Sequence, residues 1–332
     1  MRDNAYYFAL LNRNEQIFYK NIINNLSKHL FKVDGPVLNN HEVDNVIKSV
    51  FNDHPELYYV SPRISAGIRG MGSSQLMTLN FVENYRLEQK RIDGEVKKVI
   101  SNLASLARGK SELEQYMLIL DYLVDNVVYE INNTFNQNAA SAIYFHKAQC
   151  SGISAAYKLL CDALNLYCLS VVSSAKQNGV MTPHAWNIVR INNNYYHVDA
   201  TFVIGHNKKG QKPYSYKMAF GSDNYFTEDH VLQPNLPKCL DNSLERLSTL
   251  TPGKTELLQE LKSFYDIRTL LTKEIKAGNK EISFYFDFNG TNAQLDKMLS
   301  DSITMVFTTL QIRPYTASFS VRGKEVVIKL DY

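Results

Sequence analysis

The sequence predicts an α+β protein in which a buried central helix packs on an antiparallel sheet, with a mainly helical region before this core and a small α+β domain after it. Three observations carry that prediction. In SGISAAYKLLCDALNL, Ile153, Tyr157, Leu160 and Leu164 form one apolar stripe, while Gly152, Ala155 and Ala156 allow a neighbour to approach closely. YCLSVVSSA, HAWNIVRI and YYHVDATFV then follow as strand-like runs, the last two joined by Asn192, Asn193 and Asn194, residues that tolerate the positive φ of a tight hairpin. Beyond Pro234 and Pro237 the composition shifts, and helix and strand patterns resume as a separate unit.

In chain order, Ile17, Phe18, Ile22, Ile23 and Leu26 recur at helical spacing between Arg13 and His29, and Val43, Ile47, Val50 and Phe51 repeat the pattern. Two packed helices are expected. Pro55 ends the second, and ELYYVSPR is a short extended segment bounded by Pro62. Gly67, Gly70 and Gly72 mark a loop, MTLNFVENY a strand, and residues 85–106 an amphipathic helix. Ser111 and Glu114 form a capping-box signature that opens the helix carrying Tyr116, Leu120 and Leu123. An Asn-rich loop, 132–138, precedes Cys150. In the tail, a helix near Lys254 to Leu271, a strand EISFYFDF, a helix from Asn292 to Thr309 and a hairpin ASFSVRGKEVVIKL are expected. The domain boundaries that follow are 1–110, 111–234 and 250–332.

Composition narrows the functional classes. Apolar residues make up 45% of 332 and charged residues 21%, ordinary for a globular protein that folds without disulfides or metal. Thirty-six basic and 33 acidic residues leave a formal charge of +3, too small a field to imply a nucleic-acid or membrane-surface partner. The four cysteines, at 150, 161, 168 and 239, include no C-x-x-C pair, which argues against a zinc ribbon and suits a reducing compartment. No Sec leader is visible at the N-terminus, and the most apolar stretch, Tyr116 to Val124, is broken by Asp121 and too short to span a bilayer. A cytoplasmic location is expected, with non-Sec export left open.

The chemistry centres on Cys150. A thiol attacks as thiolate, and the first turn of a helix favours negative charge through its unpaired N–H groups. His184, at the start of a strand beside that helix, is placed to act as general base. If Asn192 and Asn193 form a two-residue turn, His184 faces Thr201 and Asp199 lies two positions away on the same face, within reach of the imidazole. Asp199 would then fix the histidine's tautomer and stabilise its charged form. The N–H of Cys150 is a natural oxyanion donor, with Gln149 or Tyr144 as candidates for a second. Trp186, the only tryptophan, is a candidate cleft wall or a core residue. His197 is taken as a strand residue, Cys161 and Cys168 as core, and the Asp223, Asp229 and His230 run as something other than a metal site.

AQCSGISAAYKLL, PHAWNIV and YYHVDATF resemble the three blocks of the transglutaminase-like superfamily, in its bacterial branch related to cytokinesis-associated transglutaminase and protease homologues. HPELYYV, ILDYLVDNVVY, NAASAIYF and MAFGSDNYFTEDH extend the resemblance over roughly residues 40 to 230. It implies a papain- and transglutaminase-like core with Cys150, His184 and Asp199 as the triad. It also implies a protein or peptide substrate attacked through a thioester, without a cofactor. Pro183 and Phe202 stand where family members often carry Gly and Trp, which bears on the cleft wall. The competing expectation is an inactive fold of this type serving as a binding or scaffolding module.

Overall fold

A computed structural model describes residues 5–131, 137–177, 179–212, 214–249, 259–322 and 324–332. Helices α1 (Arg13–Leu26) and α2 (Asn40–Asp53) each open on a capping box, Asn12 with Glu15 and Asn39 with Glu42. Their buried faces, Phe18, Ile22 and Leu26 on one and Val46 and Val50 on the other, meet a sheet of β1 (Lys32–Gly35), β2 (Val60–Arg69) and β3 (Leu76–Glu83). The strand order is β1-β3-β2, so the helical N-terminal region also carries a long hairpin. The expected loop at Gly67 is strand instead. Antiparallel pairing holds β2 to Arg69, and the chain turns only at Gly70 and Gly72, both at positive φ.

Helix α3 (Gln89–Leu106) leads to α4 (Glu112–Asn126), which opens on the expected Ser111 and Glu114 capping box. Next come β4 (Val128–Tyr129), α5 (Ala139–Ile143) and β5 (Lys147–Ala148); most of the Asn-rich loop, residues 132–136, lies outside the described residues. The parallel pairing of β5 with β4 delivers the chain directly into α6 (Cys150–Ala163). This helix is the expected central one. It packs on an antiparallel sheet of β6 (Cys168–Gln177), β7 (Val180–Ile191), β8 (Asn194–Val198) and β9 (Ala219–Gly221), in that order.

Asn192 and Asn193 both take positive φ, and Ile191 pairs with Asn194, the register expected from a two-residue turn. The last strand is shorter than expected. YYHV is strand, but the chain leaves the sheet at Asp199 and coils into α7 (Ala200–His206), so Thr201 and Phe202 are helical. The short helix α8 (Asp223–Phe226) follows β9. There Gly221 is required by contact, because an added Cβ would lie 2.7 Å from the Tyr225 ring and 2.8 Å from the Phe226 ring.

The tail forms its own sheet, β10 (Glu260–Leu261), β11 (Glu281–Phe286), β13 (Glu325–Asp331) and β12 (Thr316–Arg322) in that order, covered by α9 (Phe264–Lys276) and α10 (Asn292–Leu310). A separate apolar cluster fills it, with Leu271, Phe284, Leu299, Phe307 and Ile328 at its centre. The helix expected near Lys254 begins at Phe264, after a Ser263 cap, and residues 254–258 of that expectation lie outside the described residues. Among the described residues, no helix is long and apolar enough to cross a membrane.

One charge fixes α6 inside this core. Lys158 is fully buried, and its Nζ lies 3.1 Å from Asp162 Oδ2 and donates to Cys168 O at 2.8 Å, joining the helix to the first residue of β6. Nearby, Asp53 at the end of α2 accepts from the N–H groups of Tyr7 and Phe8 and from the Tyr19 hydroxyl. A buried ion pair contributes little net stability, but removing one partner strands the other in low dielectric. Lys158→Ala is therefore expected to lower stability by about 3–5 kcal/mol. Lys158→Met combined with Asp162→Leu should lose much less. Urea melts of both variants check this, and equal losses would refute the role assigned to the charge.

Candidate active site

The site is built where α6 begins. Gln149, the residue before the helix, provides no side-chain cap, so the first N–H groups of α6 are open to another acceptor. The thiol of Cys150 sits among them, half-buried. Ser154, one turn on, donates its hydroxyl to Trp186 O at 3.0 Å, and Asn187 returns an amide to Ser154 O at 3.2 Å. These bonds lay α6 against β7 and bring His184 to the thiol.

The His184 imidazole is held from the other side. Its Nε2 donates to Asp199 Oδ2 at 2.6 Å, and both side chains are wholly buried. Nδ1, which has no nitrogen or oxygen partner, is left for Cys150. Asp199 is the N-cap of α7: Oδ1 accepts from the N–H groups of Thr201 and Phe202, at 3.0 and 3.1 Å. Its own N–H donates to Met218 O at 2.7 Å. One oxygen of this aspartate caps the helix and the other meets His184.

The electrostatics follow from this arrangement. Burial raises the Cys150 thiol, but the hydrogen bond to His184, the charge of His184 and the N–H groups of Ala185 and Ser151 outweigh it, and the thiol ionises below its ordinary value. Burial lowers the imidazole of His184, yet the charge and hydrogen bond of Asp199 and the facing thiol carry it up to about 10. Asp199 is held well below the usual carboxylate range, because His184 and His230 overcome the desolvation that would raise it. These shifts favour a thiolate and imidazolium side by side. Cys161 and Cys239, in contrast, are pushed up by burial and behave as core thiols.

The remaining sequence candidates fall in different places. Trp186 is fully buried, so it is no cleft wall: its ring stacks under His184 at 6.2 Å and 20°, and Nε1 donates to His197 Nδ1 at 3.1 Å. His197 passes the bond on, donating from Nε2 to Asp223 Oδ1 at 3.0 Å. It is thus more than a strand residue. Gln149 donates its side-chain amide to Ile131 O at 2.6 Å and accepts from Gln137 at 3.1 Å, which ties the loop ahead of α6. Tyr144 packs edge-on against Phe145 at 4.9 Å.

Sequence reasoning passed over two residues. Tyr129, at the end of β4, keeps 39% of its surface exposed. Burial and the charges of Cys150 and Asp199 all raise its phenol. His230 was noted but not placed: it is fully buried, with Nε2 3.1 Å from Asp199 Oδ2. The signal for His230 was its position in the EDH run.

Two clusters among the described residues are close enough to suggest a metal, His184–Asp199–His230 and His197–Asp223–Cys239. Most of the nitrogens that converge in them are hydrogen-bonded within the protein. Both histidines of the first cluster spend Nε2 on the carboxylate, His197 uses both nitrogens, and burial keeps the Cys239 thiol protonated.

Known proteins can be set beside this geometry. No curated protein matches the sequence. Solved structures with partial likeness include a TGase, 15% identical with a TM-score of 0.28, the match covering 55% of this chain and 54% of the other. A suspected cysteine protease from Cytophaga hutchinsonii is 20% identical with a TM-score of 0.27, covering 43% and 63%. The periplasmic domain of TgpA from Pseudomonas aeruginosa is 9% identical with a TM-score of 0.27, covering 39% and 54%. The matched region therefore spans little more than half of each of these chains. The family model of the transglutaminase-like superfamily matches residues 102–200, the stretch that runs from the end of α3 through Cys150 and His184 to the start of α7. That stretch of the chain is similar to the core of the transglutaminase-like superfamily.

Proposed function

We propose that this core is a cysteine-dependent acyl-transfer enzyme acting on a peptide or glutamine amide, with Cys150 as nucleophile, His184 as general acid and base, and Asp199 as the residue that orients and charges His184. The observation that carries the reading is the thiol of Cys150. It ionises below its ordinary value at a helix start, beside an imidazole that a buried carboxylate holds at 2.6 Å.

In this reading the Cys150 thiolate adds to the amide carbonyl, and the developing oxyanion is met by the N–H of Cys150 at the open end of α6. His184 then gives its proton to the departing amine, the C–N bond breaks, and a thioester remains on Cys150. Water or an amine, deprotonated by the now neutral His184, resolves it. The stacked Trp186 ring beneath His184 restrains the imidazole in the plane that serves both steps.

Hydrolysis is the preferred outcome. Amine transfer requires a channel that admits an amine while excluding water. Trp186, a candidate for walling such a channel, is buried under His184, and Phe202, which meets His184 edge-on at 6.2 Å, stands where many relatives place a tryptophan. The test is incubation with a casein-like substrate and a labelled primary amine, with Cys150→Ala as the control. Fragments or one-dalton gains at glutamine are expected, and efficient Cys150-dependent amine incorporation would overturn the preference.

The thiol itself can be titrated. Iodoacetamide should alkylate Cys150 with a midpoint below the ordinary thiol value of 9.0, and far faster at neutral pH than Cys161 or Cys239. Turnover should rise as Cys150 deprotonates and fall as His184 loses its proton at about 10, since the imidazolium is the leaving-group acid. Activity that keeps rising past that point would remove His184 from the acid role. Asp199→Asn should retain the helix cap while reducing turnover by about 10³–10⁴-fold. Full activity in this variant would eliminate Asp199 from the mechanism.

A further inference from the structure

Asp199 is served by two histidines, and the triad reading uses only one. His230 Nε2 reaches the same oxygen, Oδ2, as His184 Nε2, at 3.1 Å against 2.6 Å, and both imidazoles are wholly buried. His230 is held firmly for this. Its N–H donates to Phe226 O at 2.8 Å, the flanking chain pairs with the outer edge of β6 through Lys176 N–H to Asp229 O and Val231 N–H to Ser174 O, and Ala175 bridges His230 itself. Phe226 and Trp186 pack on the ring at 4.8 and 4.9 Å, Phe202 at 6.0 Å.

Packing alone does not account for an imidazole here. Its Nδ1 is buried without a partner, an unfavourable arrangement that a leucine or phenylalanine in the same apolar surroundings would avoid. The polar contact it does make is to the carboxylate. We propose that His230 is a positioning residue for acyl transfer: by donating to Asp199 Oδ2 alongside His184, it fixes the carboxylate's rotation and aims the His184 imidazole at Cys150. The inference rests on the reading of Cys150, His184 and Asp199 as the reacting groups.

The electrostatic setting agrees. The ionisable groups around His230 are Asp199 and His184, with His197 and its partner Asp223 beyond the Phe226 and Trp186 rings. Hydrogen bonding by His230 is among the influences that keep Asp199 ionised. Oδ1 is already fixed by the Thr201 and Phe202 N–H groups, so His184 and His230 together define where Oδ2 points. Loss of the second donor leaves His184 to set that oxygen alone, and a small misplacement in a catalytic array is amplified in rate.

The experiment is iodoacetamide alkylation of Cys150 in the full chain, followed by peptide mass spectrometry across pH, for the wild type, His230→Gln and His230→Leu, with thermal melts of each. Gln places an amide N–H near the position of Nε2, whereas Leu has no donor. His230→Leu is expected to raise the midpoint of Cys150 by about one pH unit, so that alkylation on the acid side slows about tenfold, while His230→Gln restores most of the rate. A wild-type midpoint in a folded His230→Leu would assign the residue a merely structural role and overturn the proposal. Should that variant not fold, the ¹⁵N spectrum of the wild type still decides: a proton on His230 Nε2 supports the proposal, and a bare Nε2 overturns it. A wild-type Cys150 no more reactive than Cys161 would remove the triad reading itself, which separates that failure from the failure of His230.

Discussion

A carboxylate with no exposure to water is the constraint around which this core is arranged. Asp199 is fully buried, and an unpaired charge there would be untenable, so every oxygen lone pair it offers must meet a donor. The chain meets that demand from three directions: N–H groups of α7, the imidazole of β7, and the imidazole of the segment that borders β6. None of these donors is close to the others in sequence except the helix cap. The sheet, the helix and the return segment therefore have to assemble together before the charge is tolerable.

The local backbone is shaped to this end. β8 pairs with β7 in even register to Val198, but its pairing with β9 shifts between His197 and Val198. A shift of this kind re-aims the chain. The next residue turns out of the sheet and becomes a helix cap, which leaves one carboxylate oxygen for the cap and frees the other to face β7. Had the strand continued through Thr201, Asp199 would have met His184 only as a diagonal neighbour across two strands. The short helix gives it a closer and more rigid approach.

What the sequence made legible was the part governed by local pattern. The stripe of Ile153, Tyr157 and Leu160, the pair of asparagines at the hairpin and the capping box at Ser111 each have a one-element physical cause, and each appears in the fold. The hairpin register in particular was enough to bring His184 and Asp199 to one side of the sheet. What stayed hidden depends on partners far apart in the chain. Gly67 looked like loop because its strand is held by pairing with Thr78 rather than by its own propensity. Trp186 could not be assigned to cleft or core, because the choice is made by His197 and, behind it, Asp223. His230 lies 31 residues from Asp199, and only the pairing of its flanks with β6 brings it in.

The buried chain from Asp223 through His197 to Trp186 shows how far the support of a single imidazole extends. Asp223 accepts the Nε2 proton of His197, which leaves Nδ1 bare to accept from the indole, and burial lowers His197 so that this neutral form is the favoured one. The indole cannot then rotate without breaking that bond, and its face lies parallel to His184. Asp199 restrains His184 along its hydrogen bond, whereas Trp186 restrains it across the ring plane. Two independent restraints leave the imidazole with one orientation, the one in which Nδ1 faces Cys150. A thiolate needs such a fixed cation more than it needs a strong one, because the stabilisation falls steeply with separation in a poorly solvated site. The aromatic surroundings of His184 are thus part of its electrostatics, since they decide where the charge is held.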